Sequence, residues 1–519
     1  MKAIIKNRFL ILLMGLFVLG SCDDFLEEDL RDEITPDNFF TNDKEAELAV
    51  NGVYNLYHNN NLYRQRGLDN YYTSMADIQA ASRDVNGSIH NYLVQEGTAD
   101  GNGTWIQLYR VVNNTTEFIT NIEGNENLSE DARDQRLGEL LFLRALAYFH
   151  LTNLWGDVPF YTEQLPVLER SVLGRTPKAE IRSAMKSDLA RAFDLLPSSY
   201  SGSSLGRATK WAAATLKAKY HLFDQEWELA KAECDIVIDQ SPHSLLDNYA
   251  DVFDQSDPDA QYNDEYIFVV DFEADLGSPL NTTRTDDYNP RIRDEPAGRN
   301  NDTIVDGVSG TKVQIFQDLL RSRSEDMTGY GWSVPLPEFA LRENWQDGDL
   351  RYDATIVTEY LGWKLSFPYF RKNWNLDQET SLREDHPENF IVFRLADVYL
   401  MAAEAENEAN GPDNAYAYVN KVRERAFEPD QPWSGMSQSQ FREAMYDERK
   451  FELSAEGHRR MDLIRWGILL DVVKTVEHRA WNNPAANIQP YHVLLPIPQN
   501  QLELNPNLLE SDPTNNGYR

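Results

Sequence analysis

The sequence predicts a mainly α chain in which paired helices build a scaffold that carries one long, loop-rich insertion. Three observations support this. Apolar residues recur at helical spacing over two separate stretches, 43–240 and 390–519. Short helices follow one another in tandem within both, with alanines placed where two axes would meet. Between them, over 241–389, helical periodicity mostly lapses and Asp, Asn, Gly and Pro become dense.

Taken in order, 43–58 places Ala46, Ala49, Val50, Val53, Tyr54 and Tyr57 on one helical face. A second helix is expected over 105–122. Ser129 has the chemistry of an N-cap for a helix running to about Trp155. The second half of that helix, LLFLRALAYFHLTNLW, is apolar nearly all round and should be buried on every side. Pro177 and Pro197 bracket a helix over 178–196. Two short helices follow, 210–223 and 226–240, and Ala212, Ala213, Ala218, Ala230 and Ala232 allow close approach of their axes. This is the texture of a tetratricopeptide-like hairpin. It returns at 394–410 and 414–426, separated by Gly411-Pro412. Pairs of this kind bury little alone and need neighbours. A further helical stretch, 438–468, should break near Gly457, and the C-terminal end is irregular. Within the insertion, 266–272 reads as a short strand. A loop-rich stretch of that length inside a compact chain is expected to carry function.

The N-terminus reads as an address. Lys2, Lys6 and Arg8 precede an apolar run over 9–19, too short to span a bilayer in the usual way. Leu19-Gly20-Ser21-Cys22 has the form of a bacterial lipobox, so residues 1–21 are expected to be a signal peptide and Cys22 the lipidated first residue of the mature chain. The plainer alternative is a secretory signal followed by a chance cysteine. Residues 22–42 form an acidic tether. The segment 1–21 carries three positive charges and no acid, so its removal deepens the net charge from −35 to −38. A surface of that sign repels phosphate backbones and excludes nucleic acid as a natural partner. The second cysteine, Cys234, has no intrachain partner once Cys22 is acylated, so stability must come from packing.

Four segments then point to a family. They are LRALAYFHLTNLWGDVPF at 143–160, FIVFRLADVYLMAAEAENEA at 390–409 with VNKVRERA at 419–426, DERKFELSAEGHRRMDLIRWG at 447–467, and LLPIPQNQLELNPNL at 494–508. Together, in this order and behind a lipobox cysteine, they resemble the SusD/RagB family of outer-membrane nutrient-binding lipoproteins. The tail departs in one place, with Leu509-Glu510-Ser511 where the family often has Gln-Asn. The resemblance implies a SusD-like α-helical fold with four tetratricopeptide-like helix pairs. It also implies capture of glycan at the cell surface and delivery to a SusC-like TonB-dependent transporter. RagB-type relatives imply peptide capture as the alternative. The motifs themselves look structural. Arg144, Arg394 and Arg465 sit in apolar runs and need carboxylate or carbonyl partners, with Glu404, Glu452, Glu456, Asp397 and Asp462 nearby in sequence.

No catalytic constellation stands out. Gly202-Ser203-Ser204-Leu205-Gly206 fits G-x-S-x-G, but a flexible turn precedes it where a nucleophile elbow needs a strand. No zinc-binding pattern appears among the scattered histidines. The acidic loop 251–265 could offer oxygen ligands to Ca²⁺, but it lacks ordered spacing and reads better as a solvated loop. A surface glycoside hydrolase and a bare helical-repeat scaffold remain as competing functions. The aromatic residues point elsewhere. Trp155, Trp211, Trp227 and Trp466 lie on helices and are expected in the core. Trp332, Trp345, Trp363 and Trp374 fall in the insertion with Tyr330 and Tyr369, Trp105 opens a helix, and Tyr71 and Tyr72 lie in an early loop region. Rings held in loops can stack on the C–H faces of sugars. Candidate ligand contacts are therefore Trp332 first, then Tyr330, Trp363, Trp374, Tyr369, Trp105, Tyr72 and Tyr71.

Overall fold

The computed structural model describes residues 39–519 except 66, 83–86, 99–100, 255–257, 277–278, 291–309, 326, 328, 377–383 and 478–482. The signal segment, Cys22 and most of the tether lie outside the described residues. The longer helices are α1 (Asp43–Leu56), α2 (Asn102–Ile122), α3 (Glu130–Trp155), α4 (Lys178–Leu195), α5 (Lys210–Phe223), α6 (Trp227–Gln240), α7 (Gly310–Arg321), α8 (Leu395–Asn410), α9 (Pro412–Ala426) and α10 (Gln438–Glu452). The strands are β1 (Gln79–Ala81), β2 (Tyr266–Val270), β3 (Ser333–Pro335), β4 (Ile356–Tyr360), β5 (Trp363–Phe370) and β6 (Phe390–Arg394).

Local chemistry sets the helix starts. The Asn42 side chain accepts the Glu45 N–H and caps α1, and Ser129 accepts the Ala132 N–H and caps α3. Asp43 ties the two starts together by accepting the Ser129 N–H at 2.8 Å and its hydroxyl at 2.7 Å. Every residue of α3 from Arg136 to Trp155 is buried, as its all-round apolar pattern requires. Neighbours anchor on its backbone: the Tyr57 hydroxyl donates to the Leu143 carbonyl and the Tyr220 hydroxyl to that of Ala145, both at 2.8 Å. Gly138 admits the end of α4, because a Cβ there would stand 2.9 Å from Leu196 Cγ.

The helices stack as a continuous array. α2 packs on α3, α3 on α4, α4 on α5, α5 on α6, and α6 directly on α8, which in turn meets α9 and α10. Residues 241–389 thus leave the array after α6 and return at β6, closing beside the point of departure. β2 and β6 pair antiparallel at that junction. Beyond it, β4 and β5 form a hairpin and β3 pairs with β1 from the N-terminal half. Satellite apolar clusters around Phe339, Trp345 and Phe370, and around Phe316 and Leu320, give the insertion its own packing.

Several boundaries differ from the sequence reading, three of them for a clear physical reason. Arg394 ends strand β6 and serves as the N-cap of α8, since FIVFR finds β2 as a partner far away in sequence. α9 begins at Pro412 rather than two residues later, because proline fits the first helical turn. α2 starts at Asn102, three residues before the expected start at 105, directly after Gly101, whose φ of 85° favours glycine.

The buried arginines form linked ion pairs. Arg394 donates to Glu456 at 2.5 Å, Glu452 at 2.8 Å and Glu265 at 2.9 Å. Arg351 reaches Asp349, Glu448 and Glu452, and Arg425 pairs with Glu265 and Glu452. Arg465 pairs with Glu404 and Asp462, while Asp397 pairs with Arg449 and Lys219. Arg144 instead takes Asp188 of α4, at 2.7 Å.

Candidate ligand-binding cleft

The insertion, the start of β6 and the residues Ala455 and Glu456 beyond α10 line a polar cleft of about 700 Å³. That lies within the usual range of small-molecule sites, about 300–1,000 Å³. One wall comes from the single turn Arg371–Asn373 that follows β5, and from Trp374 beyond it. Tyr360, at the end of β4, faces the same space, and Asp353 lies on the short helix Arg351–Thr355.

Trp374 is half-buried and its indole N–H donates to the Tyr288 carbonyl at 3.1 Å. Tyr360 meets it edge-on, with centroids 5.8 Å apart, and its hydroxyl donates to Glu325 at 2.9 Å. The Arg371 guanidinium lies 5.1 Å from the Trp374 ring and 5.7 Å from the Tyr360 ring. Both distances are within cation–π range. Lys372 forms part of the floor, donating to the Glu452 and Ser454 carbonyls and to Glu456 at 2.8 Å. Burial pulls its ammonium down to about 8 against the opposing pull of Glu456. Glu388 accepts the Thr285 hydroxyl at 2.6 Å. Nearby His386 lies 3.2 Å from Asp286; burial disfavours its charged form, but Asp286, Glu388 and Asp385 outweigh this and its pKa is raised.

The candidate rings divide into two groups. Tyr330 and Trp332 stay together and half-buried, edge to face with centroids 6.0 Å apart. Their N–H groups donate to the Asp286 and Asp287 carbonyls, at 2.6 and 2.7 Å. The short helix Arg284–Tyr288 therefore holds this pair and Trp374 alike. Trp363 is half-buried against Phe316 and does not line the cleft. The other rings are corrected to core positions. Trp105 is 4% exposed, edge-on to Trp155, because it sits on the inner face of α2. Tyr71 and Tyr72 lie on a helix, Gly67–Tyr72, rather than in a loop, and Tyr72 bonds His150 inside the core. Tyr369 is 3% exposed, on the packed face of β5. None of these four offers an open face. Of the helical tryptophans, Trp155 and Trp211 are buried, and Trp227 and Trp466 half-buried.

The sequence reading missed Tyr360 and Arg371. Leu361-Gly362, with both φ values positive, turns the β4–β5 hairpin and pairs Tyr360 with Trp363. The glycine was the available signal. The cleft side of Arg371 had none, since it depends on how 371–374 folds back on the hairpin.

Gly202–Ser204 is an isolated 3-10 turn with no strand before it, so it is no nucleophile elbow. Among the described residues no group of three His, Cys, Asp or Glu side chains could hold a metal ion. In the acidic loop, Glu265 is committed to Arg394 and Arg425.

A helical array with an inserted, ring-edged polar cleft defines a ligand-binding scaffold protein. The chain belongs to the SusD family. Residues 355–518 match the family described as SusD, and residues 24–222 match one described as starch-binding and associating with the outer membrane. SusD-like protein P25 of Formosa agariphila is 45% identical, over 97% of this chain and 98% of the relative. Among solved structures, a laminarin-binding SusD-like protein superposes with a TM-score of 0.71 at 22% identity, covering 89% of this chain and 98% of its own. Surface glycan-binding protein A from Bacteroides thetaiotaomicron, in complex with laminarihexaose, gives 0.70 at 19% identity, covering 89% and 97%. At such identities the likeness concerns the fold. These relatives are named for binding rather than for catalysis.

Proposed function

We propose that this protein is a non-catalytic capture lipoprotein. Acylated at Cys22, it holds oligo- or polysaccharide at the cell exterior and passes it to a SusC-like TonB-dependent transporter in the outer membrane. The cleft is the observation that supports this most. Trp374 and Tyr360 give apolar area for sugar C–H faces, while Asp353, Asn375 and Arg371 give acceptors and donors for hydroxyl groups. The Tyr330–Trp332 pair is held by the same short helix but does not line the cleft. The glycan-binding relatives agree with the choice of ligand class.

Stacking contacts worth roughly 0.5–1.5 kcal/mol each, with hydrogen bonds that compete with water, imply micromolar to millimolar affinity. Weak binding suits handover, because the ligand must leave. Calorimetry of the mature chain against glycan and peptide panels tests the proposal. Glycan binding is expected, and Trp374→Ala should weaken it by about two- to twelvefold. Peptide binding without glycan binding would overturn the proposal, and product release from oligosaccharides would point to a hydrolase.

A further inference from the structure

We infer that the cleft takes a saccharide bearing an acid group, a uronate carboxylate or a sulfate ester, and that Arg371 is the residue that selects it. This rests on the glycan-capture reading and narrows its substrate class.

The cations that line the cleft differ in how they are neutralised. Lys372 is tied to Glu456 and to two carbonyls. Arg323 pairs with Glu325 at 2.9 Å. Arg284 donates to Asn373 and to the Ala455 carbonyl, and its nearest carboxylate, that of Asp69, stands 3.9 Å away. Arg371 has no carboxylate within 4.0 Å among the described residues. It is exposed and rests on the faces of Trp374 and Tyr360. A guanidinium held over ring faces at these distances makes no hydrogen bond to them, so its N–H groups stay available to a ligand. Those groups match the paired oxygens of a carboxylate or sulfate.

The lining acids do not cancel this arrangement. Glu325 accepts from Arg323 and Tyr360, Glu388 from Thr285 and Asn375, and Glu456 from Lys372 and Arg394. Asp251, Asp254 and Asp353 come from other segments, the turn at Tyr249–Phe253 with the residue after it and the helix Arg351–Thr355. Carboxylates there accept sugar hydroxyls and repel an acid group, which sets the ligand's direction in the cleft. The chain as a whole, at −35, repels anions. Selection must therefore come from this local pairing and not from the long-range field.

The test is calorimetry on the mature chain. Oligoglucuronate is compared with its carboxyl-reduced form, and sulfated galactan oligosaccharide with its desulfated form. The acid form of at least one pair should bind about tenfold tighter or more, and the responding pair identifies the acid. Arg371→Gln, at an exposed position, should abolish that preference, so that the acid and neutral forms of the responding pair bind within about twofold of each other. Arg371→Lys should retain part of it. If the neutral forms bind as well as the acid ones, or if Arg371→Gln keeps the preference, the inference falls and glycan capture stands. If no saccharide of either kind binds, both fall.

Discussion

His150 shows how buried polar residues tie the acid stability of this protein to particular contacts. The Tyr63 and Tyr72 hydroxyls lie 2.7 Å from its two ring nitrogens, an arrangement that a neutral imidazole satisfies as one donor and one acceptor. Burial pushes its pKa down to about 3. His458 is pushed to about 4, by burial first and then by Lys219 and Arg449, against the pull of Asp397. Both are neutral when folded and take up protons near 6.5 when unfolded. Between about pH 6.5 and 4 the unfolded state binds more protons, so stability falls as pH falls, by up to about 1.4 kcal/mol per pH unit for each histidine. Asp462, held near 2 by Arg449 and Arg465 despite burial, adds a loss below its ordinary value of 3.8. Urea midpoints measured from pH 7 to 4.5 should decline steadily; a flat profile would contradict these assignments. Tyr72 stood out in the sequence as a ring, but its role required knowing that the Gly67–Tyr72 helix turns it toward α3, which no local pattern reveals.

At the level of elements, the long helices outside the insertion and the strand near 266–270 were legible, whereas α7, the Gly67–Tyr72 helix and the strand pairings were not. α3 and α5 follow directly from a cap and from apolar periodicity, which act over a few residues. β1 and β6 find their partners, β3 and β2, far along the chain, so their pairing leaves no local trace. The same holds for the ion network. Arg394 and Arg465 were recognisable as buried cations with acids close in sequence, whereas Asp188, the partner of Arg144, becomes visible only when α4 packs on α3. Glu452 joins α10 to Arg351, Arg394 and Arg425 with no solvent access. Glu452→Gln leaves these guanidinium groups short of one charge inside the protein and should cost about 3–5 kcal/mol, read as a lowered denaturation midpoint. Gly138→Ala should also destabilise, by about 1–3 kcal/mol, because Leu196 blocks the added methyl group.

For the whole molecule, the direct packing of α6 on α8 gives the insertion a closed base, and Glu265 and Arg351 of the insertion bind it to that base through Arg394, Arg425, Glu448 and Glu452. The position of the insertion that carries the proposed cleft was legible, since loop-dense sequence between helical repeats marks it. Which rings it presents was not, because exposure depends on which face of β4, β5 or α2 meets the core. No described helix is long and apolar enough to cross a membrane; the proposed retention there rests on acylation of Cys22. Acyl chains contribute about 0.8 kcal/mol per buried CH₂, so Cys22→Ser should move the protein from the membrane to the soluble fraction, as fractionation and blotting would show. The most direct test of the capture role is a co-crystal structure of the mature chain with an oligosaccharide it binds. The expected result is a sugar ring packed on Trp374 or Tyr360, with its polar groups toward Arg371 and Asp353. A saccharide held elsewhere, with the cleft unoccupied, would contradict the role assigned to it.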